Sequence, residues 1–238
     1  MLKEALQYIV GLSEAREHAI HGDVYSDKPL HRIDTYFPKA DSVTVHTLTS
    51  LLDYIFGEID KMAKKMIVAV ESPTTVRLYS QLDGNHDREY LMVAEALLPS
   101  FGFNQFMDQE RFCIALQSKF IKNDDRDLLL KFAGTVESGT VAQYGDDGVT
   151  QKATIKTGLA SKGEAILPNP VKLKPFRTFL EIDQPESDFI FRMREGRGDV
   201  ECAIFEADGG AWQIKAMQNI KDYLLGALED MPQFTVIA

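Results

Sequence analysis

Residues 168–228 read PNPVKLKPFRTFLEIDQPESDFIFRMREGRGDVECAIFEADGGAWQIKAMQNIKDYLLGAL. Phe176, Thr178, Leu180 and Ile182 alternate with Arg177, Phe179 and Glu181, which is the period of an extended strand. The turn residues Gln184-Pro185-Glu186-Ser187 end that run, because proline has no N–H for a ladder. Phe189, Phe191 and Met193 then alternate with Ile190, Arg192 and Arg194. Gly196 and Gly198 mark the next turn, and Val200 to Phe205 forms a third run. Connections this short predict an antiparallel meander, since parallel neighbours need a long crossover. Phe179 and Ile190 put apolar groups on the nominally polar faces, so the second side of this sheet is expected to be partly covered.

Asp208-Gly209-Gly210 supplies a turn and a helix entry. Trp212, Ala216, Ile220, Leu224 and Leu228 recur every four residues, joined by Met217 and Leu225, an apolar stripe fit to lie on a sheet. Each such side chain contributes about 1.5–3 kcal/mol when buried. Trp212 reads as a core anchor, with a ligand-stacking ring as the other reading.

Upstream, Leu2, Ala5, Leu6, Ile9 and Val10 predict an amphipathic helix stopping near Gly11. His21-Gly22-Asp23 reads as a hairpin turn and Asp27-Lys28-Pro29 as another. A helix is expected over Thr47–Lys64, burying Leu48, Leu51, Leu52, Ile55, Ile59 and Met62. Met66–Val70, Val76–Ser80 and Arg88–Leu97 read as strands, with a hairpin at Asp83-Gly84-Asn85. The aromatic stretch 99–106 is irregular. Asp108 starts a helix carrying Phe112, Leu116 and Phe120, with Gln109 and Glu110 in its first turn. Asp124-Asp125-Arg126-Asp127 reads as the cap of a short helix rather than a metal cluster. A hairpin is expected around Asp146-Asp147-Gly148, and 156–170 reads as a connection.

These elements predict an α+β fold of antiparallel meander sheets, each followed by a packing helix: 66–120 and 176–228 both have that order, a pseudo-repeat in outline. Two regions are expected, an N-terminal α+β part over 1–157 and the three-strand meander with its helix over 158–238; one continuous domain is the alternative.

The chain has 238 residues, 45% hydrophobic and 26% charged, long enough for one large or two small domains. Its 26 basic and 36 acidic side chains leave a net charge of −10, which argues against a duplex-binding footprint. No apolar run approaches a membrane span and Met1-Leu2-Lys3-Glu4 opens a helix, so the cytoplasm is expected. Cys113 and Cys202 read as free thiols.

No phosphate loop, dinucleotide fingerprint, nucleophile elbow or HExxH motif is present. His18 and His21 with Asp23 lack the converging ligands a zinc site needs. His86-Asp87 reads as a polar hairpin tip, and the Arg-Gly-Asp at 197–199 as a turn. Neither catalytic residues, a metal site nor a cofactor is therefore assigned. Glu206 with Asp208, or with Asp147, would serve acid–base chemistry only in a cleft that raises a pKa. The binding candidates are the arginines Arg177, Arg192 and Arg194, which share an expected sheet and suit an anion, with Trp212 and the aromatics Phe101, Phe103 and Phe106.

A resemblance rests on Tyr25-Ser26-Asp27-Lys28, Leu48-Thr49-Ser50-Leu51, Ser72-Pro73, Phe101 through Phe112, Pro168-Asn169-Pro170, Phe176-Arg177-Thr178-Phe179 and Phe205 through Trp212. In these strings the chain resembles uncharacterised phage and prophage proteins of tailed phages, most similar to those from Gram-positive hosts and distantly YfdQ-like. The resemblance implies a phage-encoded accessory protein in the host cytoplasm and carries no catalytic residues. The expected partner is a host, defence-system or phage protein, with self-association through strand edges or the Phe101–Phe106 segment. The alternatives are a nucleotide- or metal-dependent enzyme with an unfamiliar site, or an accessory factor in phage DNA recombination.

Overall fold

The computed structural model describes residues 2–11, 15–20, 23–26, 28, 39–60, 62, 65–84, 86–136, 151–156, 162–167, 169–196 and 200–238. The chain divides between Lys39 and Ala40 into two units. In the first, helix α1 (Leu2–Gly11) is amphipathic as its pattern predicts, and its apolar side chains are exposed. Strands β1 (Glu17–Ile20) and β2 (Asp23–Ser26) pair antiparallel, from Ile20 opposite Asp23 to Glu17 opposite Ser26. The turn at His21-Gly22 lies outside the described residues, and so does most of Asp27-Lys28-Pro29.

The second unit begins with β3 (Val43–Val45), α2 (Leu48–Phe56) and the meander β4 (Met66–Ser72), β5 (Thr75–Ser80) and β6 (Tyr90–Glu95). Next come β7 (Met107–Asp108), α3 (Gln109–Lys119) and α4 (Asp124–Thr135), then β8 (Gln151–Lys156) and β9 (Lys162–Leu167). It closes with β10 (Val171–Leu173), β11 (Ser187–Glu195), β12 (Val200–Glu206), α5 (Ala211–Ala227) and β13 (Phe234–Ile237). Among the described residues the fold is α+β, about a third helix and a third strand. No helix there is long and apolar enough to cross a membrane.

Five strands form a mixed sheet in the order β13-β4-β5-β6-β3, antiparallel in the meander and parallel at both edges. Four form an antiparallel sheet in the order β10-β11-β12-β7, and β8 pairs with β9. Each larger sheet has its own core. Leu48, Leu51 and Ile55 of α2 and Ile220 and Leu224 of α5 cover Met66, Val68, Leu78 and Met92 of the mixed sheet. Phe112 and Leu116 of α3 and Leu129 and Phe132 of α4 cover Phe189, Phe191, Cys202 and Ile204 of the antiparallel sheet.

Four expectations are corrected here. Helix α2 ends at Phe56, eight residues before Lys64. The Gly57 N–H closes the last turn on Asp53 O at 2.8 Å, and a Cβ at Gly57 would meet that same carbonyl oxygen at 2.8 Å. Ile59, expected inside, is 67% exposed. Second, 176–182 is not a strand: Arg177, Thr178 and Phe179 are buried in succession while Leu180 is exposed, so no alternation exists. The antiparallel sheet takes β10 in its place. Third, the stripe of α5 lies not on its own meander but on the mixed sheet, which β13 then completes. The scheme of two meanders, each covered by the helix that follows it, therefore fails at α5. Fourth, β8 pairs with β9, inside the expected connection 156–170; the remainder of the expected hairpin, residues 140–150, lies outside the described residues.

Candidate functional site

The segment 174–186 is a largely buried connection; it bridges Phe120 at Pro175, and beyond Phe176 its buried backbone polar groups must be satisfied without a ladder. Gln184, 5% exposed, does this. Its Oε1 accepts from the N–H of Arg177 (3.0 Å) and of Thr178 (3.2 Å). Its Nε2 donates to the carbonyls of Thr178 (3.4 Å), Phe179 (2.9 Å) and Ile182 (3.4 Å). Outward from this knot, Thr178 Oγ1 donates to Pro73 O at 2.5 Å, and Glu181 Oε1 accepts from Thr49 N at the start of α2 at 3.2 Å. Asn219 Nδ2 of α5 donates to Asp183 O at 3.0 Å.

Held by that loop, Arg177 turns its guanidinium toward the antiparallel sheet. Nη1 donates to Glu206 Oε1 at 2.8 Å, Nη2 donates to Ser187 Oγ, and Asp208 Oδ2 lies 4.0 Å away. The guanidinium carbon sits 4.0 Å from the centre of the Trp212 ring and 5.5 Å from that of Phe189, a cation–π arrangement on both. Trp212 is half-buried and lies outside both cores, so the ring covers an arginine instead of anchoring a core. Burial pulls the Arg177 guanidinium down to about 10 against the attraction of Glu206 and Asp208.

The condition set for acid–base chemistry at Asp208, a raised pKa, is not met. Burial pushes the Asp208 carboxyl up, but hydrogen bonds from Ser187 and the Gly210 N–H, the Arg177 charge and the Trp212 N–H outweigh it and hold it below the ordinary carboxylate range. A carboxylate so held is no proton donor at neutral pH. Instead its Oδ1 accepts at 3.0 Å from the N–H of Gly210, the N-cap of α5, which takes the left-handed φ of 83° that glycine adopts without strain. Asp147 lies outside the described residues. A recess of about 190 Å³ beside this centre is lined by Lys172, Ser187, Asp188, Asp208, Trp212 and Lys215, among others, but not by Arg177.

The three arginines do not form one anion site. Arg177 meets the β11 end near Phe189, whereas Arg194 lies five residues along, about 16 Å away. Arg194 Nε donates to Glu201 Oε2 at 2.6 Å, and its guanidinium lies 4.0 Å over Phe106. Arg192 Nη1 donates to Phe191 O at 3.0 Å. Phe103 stacks on Phe189 at 5.6 Å, and Phe101 meets Phe120 edge-on at 5.1 Å. Both are half-buried against the second core. The candidates thus fall into three groups, Arg177 with Trp212, Arg194 with Phe106, and Phe101 with Phe103, the first and third meeting at the Phe189 ring.

Phe101 also borders a larger feature of this sheet, a groove of about 380 Å³ along α3. Met107, Ile114 and Ala115 continue its apolar floor, and Arg111, Ser118 and Lys119 complete the lining without a carboxylate. Ile114 is 56% exposed. Arg111 Nε pairs with Asp108 Oδ2 at 3.2 Å, and Lys119 Nζ donates to Ser100 O. Among the described residues no three His, Cys, Asp or Glu side chains converge as a metal site. Residues 197–199 lie outside the description.

Gln184, Ser187, Arg111 and Lys119 are absent from the sequence-based candidates. Nothing local announces Gln184 or Ser187, whose partners are fixed by the fold. Arg111 and Lys119 carry a signal: positions 111, 114, 115, 118 and 119 share one helix face, and Ile114 stands there away from Phe112, Leu116 and Phe120. Compared with family models, curated proteins and solved structures, the chain matches none.

Proposed function

We propose that the chain is a binding protein, a phage-encoded accessory factor that acts in the host cytoplasm by holding a host or phage protein. The phage setting comes from the resemblance in the strings above. The binding reading is carried by the groove on α3, where an exposed isoleucine, a methionine and a phenylalanine edge form an apolar floor within reach of two cations. Apolar centres with a polar rim are how protein interfaces are built. The Arg177 centre serves this reading as a structural joint: its carboxylates are committed to the guanidinium and to the start of α5.

Reconstitution tests the proposal. A partner captured by cross-linking in phage-infected cells is purified, mixed with the purified chain and titrated by calorimetry; a saturable complex is expected. A thermal-shift screen in which a nucleotide or a divalent ion stabilises the chain, with no captured protein binding on reconstitution, would overturn it in favour of an enzyme.

A further inference from the structure

Resting on that reading, we infer that the α3 groove takes an acidic segment of a partner protein, an apolar anchor residue flanked on both sides by carboxylates. The apolar floor of Phe101, Met107, Ile114 and Ala115 demands the anchor, because its volume of about 380 Å³ suits one or two large side chains. The charges set the flanks. Arg111 and Lys119 are eight residues apart on α3, about 12 Å along its axis. One carboxylate cannot span that distance, so two are needed, one at each end. Extended chain covers it in about four residues and a helix in about eight.

Both cations are able to accept a new partner. The Arg111 side chain is 83% exposed, and its pair with Asp108 is an exposed one of the kind worth little, so exchange for a partner carboxylate costs little. The Lys119 ammonium spends one of its three donors on Ser100 O. No carboxylate lines the groove, although the whole chain carries a net charge of −10. The lining itself therefore offers an acidic occupant two cations, of which, among the described residues, only Arg111 already has a carboxylate beside it, Asp108. That lining selects by sequence position, since only a segment whose acids meet these two cations gains.

Fluorescence anisotropy with three labelled peptides tests the inference: one with a Phe-Leu centre between glutamates, its lysine counterpart, and the acidic peptide with serines at the centre. The acidic apolar peptide is expected to bind, and the other two to bind at least about tenfold more weakly. Arg111→Glu with Lys119→Glu should weaken the first peptide about tenfold or more and restore the lysine peptide, and added salt should weaken the wild-type complex. Glutamate at 111 suits the first turn of α3; Lys119→Gln, milder at the last turn, gives a second variant that removes the charge without reversing it. Circular dichroism checks that each variant is folded.

Several results would overturn the proposal: equal binding of all three peptides, binding unchanged in the double variant, binding of dodecanoate in preference to the acidic peptide, or self-association abolished by Ile114→Glu. Should a reconstituted natural partner bind wild type and double variant alike, the binding function stands and this surface is not its seat. Should no partner bind the chain at all, the general reading falls instead.

Discussion

Gln184 is a small part of the chain with a large structural duty. Its amide makes five hydrogen bonds to the backbone of one connection at 5% exposure. Gln184→Ala strands several buried groups at about 1–3 kcal/mol each, with partial relaxation, so a loss of about 3 kcal/mol in urea unfolding is expected. Gln184→Glu keeps the acceptor but buries a charge, and its deficit should shrink as pH falls; a deficit independent of pH would reject that account. Asp208 gives the opposite pH dependence. Its carboxyl titrates lower folded than unfolded, so its contribution is complete above the ordinary pKa of about 4 and is lost as pH falls through the lowered folded value. The acid limb of the stability curve should therefore be shallower in Asp208→Asn than in wild type, and superimposable limbs would refute the pairing. The thiols make a third prediction. Burial pushes Cys202 up to about 12, with smaller contributions from Cys113 and Asp108, and burial raises Cys113 as well. Iodoacetamide at neutral pH should leave Cys202 unlabelled until the chain is denatured, as intact-mass spectrometry would show.

At the scale of elements, helix α5 shows what one-sided periodicity conveys and what it leaves out. The four-residue recurrence of Ala216, Ile220, Leu224 and Leu228 identified both the helix and its buried face. It said nothing of which sheet that face would meet, because any apolar sheet face presents the same demand. Ile220→Ala should cost about 2–5 kcal/mol and, since Ile220 belongs to the first core, speed hydrogen exchange in β4 and β13 before β11. Earlier loss in β11 would return the helix to its own meander. Strand β11 was legible because Phe189, Phe191 and Met193 alternate with more exposed neighbours, and β12 as the apolar run Val200 to Phe205 that follows the next turn, although Ser187, read as a turn residue, already belongs to β11. The stretch 176–182 was not legible, because its spacing imitates a strand while Gln184, outside the window, supplies the hydrogen bonds of a connection. The parallel edges formed by β3 and β13 have partners 49 and 168 residues away at Val43–Met92 and Phe234–Met66, beyond any local pattern. The site divides likewise. Face counting on α3 exposes Arg111, Ile114 and Lys119, whereas the stacking of Trp212 on Arg177 depends on a joint between sheets.

In the unit 40–238, that joint decides how the two cores respond to stress. The connection 174–186 gives Phe179 and Ile182 to the first core, while its Arg177 is bound by Glu206 and Ser187 of the second sheet. Helix α5 leaves the second sheet at Glu206 and Asp208 to bury its stripe in the first core, and β13 extends that same sheet. Separating the cores would expose Phe179 and Ile182 and would part the buried Arg177 from Glu206, whose side chain is a third exposed, leaving a desolvated guanidinium unpaired. The cores are therefore expected to unfold together. The chain has one tryptophan, and it sits at the joint, so its fluorescence reports whether the joint is intact. Far-ultraviolet circular dichroism reports both sheets and all helices. In urea the two signals of the wild type should coincide in midpoint and slope. In Arg177→Met the methionine fills the space without the charge, leaving Glu206 without its ion pair, Asp208 without the nearby guanidinium and Trp212 without its cation. Coupling should then weaken, and the tryptophan transition should move to lower urea than the dichroism transition. If the wild type already shows two separated transitions, or if Arg177→Met shifts both signals by the same amount, then the arginine is one more packed side chain and the cores are joined by something else.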